Sequence, residues 1–182
     1  MKKKEARQLF KQKRKALTAN IIETYQDSIY AQVFQLDFSR FQNIHIFLPI
    51  ARQKEINTFP IVTYLQNLGK RVIISKSNFD NNTLEHFILT KETKLEENDY
   101  GIPEPVVAEK FNVKNIELVF VPLLISDEMN YRVGYGKGFY DRFLASCKKD
   151  VYTIGLNFFP PIPNITDINK FDVPLHSIIY SK

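Results

Sequence analysis

The chain has 182 residues, with 25 Lys and Arg against 20 Asp and Glu for a net charge of +5, 44% hydrophobic and 25% charged residues. That length suits one domain and buries roughly 70% of the unfolded surface, enough for a full core, while the balanced composition excludes disordered and fibrous classes. No run of about 18 apolar residues is present, the N-terminus is charged from Lys2 with no apolar signal core, and the single Cys147 excludes an intrachain disulfide, so a cytoplasmic protein without membrane spans is expected.

Lys3 to Leu17 reads as a helix, with Ala6, Leu9, Phe10, Lys13 and Leu17 at three- and four-residue steps. The eight cations of the first fifteen residues, against Glu5 alone, hold most of the excess charge and face elsewhere; a solvated face is the plain reading. Thr18 or Asn20 caps a second helix to about Leu36. Asn43 to Pro49 reads as a strand, with Pro49 suited to its end. Thr58 and Pro60 open a helix through Leu68 that stops at Gly69, and Arg71 to Ser75 is the next strand, which completes a β-α-β unit. After a turn at Asn78 to Asn82, Leu84 to Leu89 alternates polar and apolar as an antiparallel edge strand does. Tyr100 to Pro105 reads as a rigid loop. Leu118 to Leu123 and Val151 to Leu156 are further strands, and Ser177 to Tyr180 is a last short one. His45 falls within a strand pattern and reads as core or edge, and Cys147 as a packed small residue.

Between the strand at Leu118 and a helix-compatible run from Phe139 to Lys148 lies Tyr131-Arg132-Val133-Gly134-Tyr135-Gly136-Lys137-Gly138, which holds half of the chain's 6 Gly. Strand, glycine-rich turn and helix in that order offer free backbone N–H groups and a positive helix end to an anion, with Lys137 as a mobile point charge and Arg132 and Arg142 beside it. The spacing is neither a Walker A loop nor the dinucleotide fingerprint. A tight turn with an exposed Lys is the competing reading. The predicted order is an α/β domain of three layers, α/β/α, with a mostly parallel sheet. Ligands would gather outside the carboxyl ends of its strands, at the loops Pro49 to Thr58, Ile125 to Gly138 and Asn157 to Asp172. A phosphate-ligand enzyme and a basic nucleic-acid-binding module both remain open on these grounds.

The residues resemble a family. Val121-Pro122-Leu123, Asp127 and Arg132-Val133-Gly134-Tyr135-Gly136-Lys137-Gly138-Phe139-Tyr140-Asp141 are similar to the mark of the 5-formyltetrahydrofolate cyclo-ligases: Val-Pro-Gly, an Asp, then Arg-Leu-Gly-Arg-Gly-Lys/Gly-Gly-Tyr-Tyr-Asp. Lys3-Lys4-Glu5-Ala6-Arg7, Glu55-Ile56-Asn57-Thr58, Gly101-Ile102-Pro103-Glu104-Pro105 and Phe171-Asp172-Val173-Pro174 match further family segments in order over nearly the whole chain. The resemblance implies the fold shared with sugar-phosphate isomerases and CoA-transferases. It also implies an ATP- and Mg²⁺-dependent closure of 5-formyltetrahydrofolate to 5,10-methenyltetrahydrofolate, with small-molecule partners, no nucleic acid and no membrane, in a monomer or weak dimer. By the same resemblance Lys137 and Arg7 are catalytic. Lys3, Lys4, Arg7, Arg132, Gly134, Tyr135, Gly136, Lys137, Gly138, Phe139 and Tyr140 hold the nucleotide. Pro49, Glu55, Phe139 and Tyr140 meet the folate, and Asp141 and Asp172 hold the metal. Lys11 to Lys15 are expected to stay solvated. Three departures stand out: Tyr135 replaces an Arg, Leu123 a Gly and Phe139 a Tyr.

Overall fold

The structure, a computed structural model, describes residues 1–182. Helix α1 runs Lys3–Ala16, its first turn closed by the Glu5 carboxylate accepting the Lys2 amide at 3.1 Å. Helix α2, Ala19–Val33, starts at Thr18, whose hydroxyl accepts the Ile21 amide at 3.4 Å. Strand β1 is only Asn43–His45; the Ile46 amide still reaches the Ile73 carbonyl at 2.9 Å, but Pro49 has no N–H and the chain leaves the sheet before it. Helix α3, Phe59–Asn67, carries Pro60 in its first turn as expected, but Thr58 does not cap it: the hydroxyl donates to the Phe47 carbonyl at 2.6 Å, which anchors the helix to the end of β1.

Strands β2 (Arg71–Asn78) and β3 (Thr83–Leu89) form the antiparallel hairpin read from the sequence, in register from Val72 opposite Leu89 to Asn78 opposite Thr83. The segment read as a loop after Tyr100 is instead one arm of a hairpin, β4 (Leu95–Glu97) with β5 (Pro103–Pro105). Strand β6, Leu118–Pro122, does not run directly into the glycine turn. A second short hairpin intervenes, β7 (Ile125–Ser126) with β8 (Arg132–Val133). Asp127, fully buried, builds that hairpin by accepting the Met129 and Tyr131 amides at 3.1 and 2.9 Å, and it ties in the Ile165 amide at 3.1 Å. Helix α4 (Phe139–Ser146), β9 (Tyr152–Asn157) and β10 (Ser177–Tyr180) complete the chain. No helix is long and apolar enough to cross a membrane.

The main sheet has the order β10-β9-β6-β1-β2-β3, parallel throughout except for β3 at its edge. The parallel steps follow from helical crossovers, α3 between β1 and β2 and α4 between β6 and β9. Strand alternation then sorts the core into two halves. Ile44, Val72, Ile74, Leu118, Phe120, Ile154 and Leu156 face α2 and α3. Ile73, Val119 and Val121 lie on the other face with Phe143, Leu144 and Cys147 of α4. Cys147 is buried as expected, and burial pushes its thiol up to about 11. The three layers are therefore α/β/α. Helix α1 belongs to neither outer layer: Ala6 and Phe10 pack on Leu124, Ile125 and Val133, which places α1 across the β7–β8 hairpin.

Gly155 of β9 has a packing reason. A Cβ there would sit 2.6 Å from Leu123 Cδ2, 2.7 Å from Ile178 Cδ1 and 2.8 Å from Leu175 Cδ1. The missing side chain is the space into which Leu123, 2% exposed, enters the core.

Candidate active site

One cavity of about 640 Å³ opens beyond the carboxyl ends of β1, β2 and β6, where the parallel sheet places its loops. Its wall draws on five distant segments: α1, the stretch after β1, the end of β2 with the β4–β5 hairpin, the glycine block running into α4, and the loop holding Asn169 and Asp172. All three loops expected to carry a site contribute, through Ile50 and Glu55, Arg132 to Gly138, and Asn169 and Asp172.

Helix α1 supplies cations along one stripe. Lys3, Arg7 and Lys11 recur at four-residue steps and all line the cavity; Arg14, three further on, is buried beside it with 4% exposed. Two expectations are corrected here. Lys4, one residue off the stripe, is exposed and outside the cavity, because adjacent helical residues point about 100° apart. Arg14, expected in solvent, is turned inward because α1 docks with this face over the hairpin, whereas Lys11 is exposed as expected, at the cavity rim with its Nζ 5.3 Å from the centre of the Tyr135 ring. Pro49 is likewise not in the wall, which is built there by Phe47, Leu48 and Ile50.

The glycine block wraps Arg7. Arg7 Nε donates to the Gly134 carbonyl at 3.0 Å, and Gly136 adopts φ +97°, with its open face 3.0 Å from the Arg7 Cζ where a Cβ would stand. Only Gly allows both that backbone and that approach. Lys3 is ion-paired with Asp172, and Arg132 with Asp141 at 2.5 Å, while Arg132 also donates to the Val173 carbonyl at 2.8 Å. Burial lowers the pKa of Arg132, opposed by the charges of Asp141 and Asp172, so both carboxylates lie in its field. The two acids expected to hold a metal thus line the cavity beside cations, and no cluster of three or more His, Cys, Asp or Glu side chains forms anywhere in the chain.

Lys137 is exposed at the cavity mouth, its Nζ 4.8 Å from the centre of the Phe79 ring and 5.0 Å from that of Tyr100. Those two rings stack at 3.8 Å, and Phe139 meets Phe79 edge-on at 5.3 Å. Phe79 and Tyr100 were not identified from sequence; the β4–β5 hairpin brings Tyr100 to β2, fastened by the buried Glu104 carboxylate accepting the Ser77 amide at 2.7 Å. Phe139, expected to lend ring surface, lines the cavity with its ring against Phe79. Arg142 bonds back to the Lys137 carbonyl at 2.9 Å, shaping the turn.

At the inner end Glu55 is buried, its carboxylate accepting the Ile50 amide at 2.8 Å. Burial raises its pKa above the usual carboxylate range, opposed by that amide, by the Arg14 charge and by the Tyr135 hydroxyl. Burial and the nearby Glu55 charge push the hydroxyls of Tyr135 and Tyr140 up, so both are neutral donors. Arg14 explains the Tyr at position 135. Its Nη1 donates to the Tyr135 hydroxyl at 3.2 Å and its Nη2 to the Leu123 carbonyl at 2.5 Å. A guanidinium from α1 therefore stands behind Tyr135, and the positive charge absent from the glycine block is present one layer deeper.

The sequence model of the 5-formyltetrahydrofolate cyclo-ligase family matches residues 1–181. The 5-formyltetrahydrofolate cyclo-ligase of Mus musculus is 27% identical over 98% of this chain and 93% of its own length. Among solved structures, the 5,10-methenyltetrahydrofolate synthetase of Aquifex aeolicus superposes with a TM-score of 0.81 at 23% identity, covering 99% of this chain and 90% of that one. That of Mycoplasma pneumoniae superposes with a TM-score of 0.77 at 23% identity, covering 98% of each chain. At that identity the two structures show a shared fold.

Proposed function

The chain belongs to the 5-formyltetrahydrofolate cyclo-ligase family, and from that premise we propose that it converts ATP and 5-formyltetrahydrofolate to 5,10-methenyltetrahydrofolate, ADP and phosphate in the cavity described above. The observation that carries the reading is the meeting, in one cavity, of a cationic stripe on α1, a glycine-rich turn and a buried carboxylate. The first two suit polyphosphate. The third suits a heterocycle with paired N–H donors, such as a pterin. The cationic stripe is turned into a cavity rather than laid on an open face, which favours a small anion over nucleic acid.

The chemistry is phosphoryl transfer followed by ring closure. The formyl oxygen attacks the γ-phosphorus and ADP departs; N10 attacks the activated formyl carbon; phosphate then leaves as N10 loses its proton. Such a sequence requires placement and charge neutralisation more than covalent help from the protein. Lys3, Arg7, Lys11, Arg132 and Lys137 neutralise the transferring phosphate and the ADP, and Gly134, Gly136 and Gly138 allow the backbone close to it. Glu55 orients the pterin, and Phe79, Tyr100 and Phe139 cover the reactants at the mouth.

The residues fit Mg²⁺ held mainly by nucleotide oxygens: Asp141 Oδ2 and Asp172 Oδ1 carry no hydrogen bond, and this ion takes one or two carboxylates alongside phosphates and waters. Bound there, it would draw negative charge from the β- and γ-phosphates. The test is to mix purified protein with Mg-ATP and 5-formyltetrahydrofolate and follow the near-ultraviolet absorbance of the methenyl product. An ATP-dependent rise is expected, and its absence overturns the reading.

A further inference from the structure

Ser75 on β2 lines the cavity, and its hydroxyl lies between two imidazoles: 2.7 Å from His45 Nε2 and 3.1 Å from His86 Nδ1. The sheet puts them there. Ser75 pairs directly with His86 of β3, His45 of β1 pairs with Ile73, and alternation turns all three side chains to the α4 face. His45 is fully buried and His86 only 7% exposed; their rings lie 4.7 and 4.3 Å from that of Phe143. Two of the chain's 3 His residues are thus placed around one cavity hydroxyl, with no part in the proposed reaction. Burial of such polar rings has a cost that an apolar pair would avoid.

The protons can be assigned. Burial favours the neutral form of both rings, keeping His45 well below the usual imidazole range and His86 down to about 4. A neutral imidazole has one N–H and one bare nitrogen, and a hydroxyl has one hydrogen and two lone pairs. Ser75 Oγ has no third partner, so accepting from both rings would leave its hydrogen unpaired; one ring therefore donates to it and it donates to the other. His45 Nδ1 is buried without a partner. An orphaned lone pair is better tolerated than an orphaned N–H, so His45 carries its hydrogen on Nε2. It donates to Ser75, and Ser75 donates to His86 Nδ1. The hydrogen of Ser75 is committed and one lone pair is left over. Tyr140, which feels the Glu55 charge and lies 6.2 Å from the His45 ring, puts Ser75 and Glu55 in one neighbourhood.

We infer that Ser75 is a specificity-determining residue, an acceptor-only hydroxyl whose polarity is set by His45 and His86 as positioning residues, and that it selects a ring N–H of the reduced pterin. It rests on the folate reading of the cavity. In 5-formyltetrahydrofolate N5 bears the formyl group, so the ring N–H that the oxidised ring lacks is at N8, and the bare N8 of folic acid facing the Ser75 lone pair is repelled. The test is calorimetric titration of wild type, Ser75→Ala and His86→Leu with 5-formyltetrahydrofolate, folic acid and Mg-ATP separately. Ser75→Ala weakens 5-formyltetrahydrofolate by about five- to tenfold, one net hydrogen bond, leaves Mg-ATP within about twofold, and does not weaken folic acid, whose repulsion is removed with the hydroxyl. His86→Leu frees the Ser75 hydrogen to turn outward, so the gap between the two folates narrows by about fivefold, a change that loosened packing would not produce. Wild-type affinity for 5-formyltetrahydrofolate in Ser75→Ala, equal weakening of all three ligands, or an unchanged gap in His86→Leu overturns the assignment of Ser75 alone. Failure of wild type to bind 5-formyltetrahydrofolate removes the folate reading and this one with it.

Discussion

Tyr135→Phe removes one oxygen and tests how the glycine block is tied to Glu55. The hydroxyl accepts from Arg14 Nη1 at 3.2 Å and acts on the Glu55 carboxylate. In the variant Arg14, 4% exposed and already lacking a partner at Nε, keeps only the Leu123 carbonyl at 2.5 Å. Hydrogen bonds to buried charged groups contribute about 1.5–3 kcal/mol, so a loss near ~2 kcal/mol is expected, or a melting point lower by about 4–8 °C at this chain length. The loss must depend on pH. Burial already raises the pKa of Glu55 above its unfolded value. The folded protein therefore favours the protonated acid, and stability falls as pH rises from the unfolded pKa through the folded one. Losing the Tyr135 hydroxyl raises the folded pKa further, so the deficit relative to wild type is larger at about pH 7 than at about pH 4.5. Urea titrations at the two pH values measure it, and other titrating groups cancel in the difference. An unchanged midpoint, or equal deficits at both pH values, would refute the coupling.

Lys137→Ala should leave the urea midpoint within about 0.5 kcal/mol of wild type, because the residue is exposed, while kcat/KM for ATP falls by roughly 10- to 100-fold, one charge-assisted phosphate contact; wild-type turnover would remove its role. Gly155→Ala places a methyl 2.6 Å from Leu123 Cδ2 and should cost about 1–3 kcal/mol in urea unfolding; unchanged stability would mean that β9 yields. His86 falls from 6.5 to about 4 on folding, which at about 1.36 kcal/mol per unit is about 3 kcal/mol of stability, present above pH 6.5 and lost as pH falls through the folded value; His86→Leu should flatten that part of the stability curve, and an unaltered acid limb would count against it. Chelation of Mg²⁺ should abolish turnover, excess Mg²⁺ should restore it, and turnover indifferent to the metal would remove Asp141 and Asp172 from the proposed role.

Much of the fold was legible because its signals are local. Helix α1, the Thr18 cap, the β-α-β unit and the antiparallel edge strand follow from spacings of two and of three to four residues, and from turn residues between them. The glycine block was legible as a candidate anion site because a strand, a glycine-rich turn and a helix follow one another there, with a tight turn carrying an exposed Lys as the competing reading. The two short hairpins escaped notice: their strands are two or three residues long, too short to show alternation, and β5 begins and ends in Pro. The four-residue rhythm of Lys3, Arg7 and Lys11 is visible in the sequence. Its inward direction is not, because that depends on Ala6 and Phe10 docking on Leu124, Ile125 and Val133 more than a hundred residues away. The same holds for Phe79 over Tyr100 and for Ser75 between His45 and His86, each residue ordinary in its own strand or loop. Periodicity is a property of neighbours along the chain and determines which residues share a face; what that face meets is decided by long-range burial, and so the cavity's chemistry was written only when the sheet assembled.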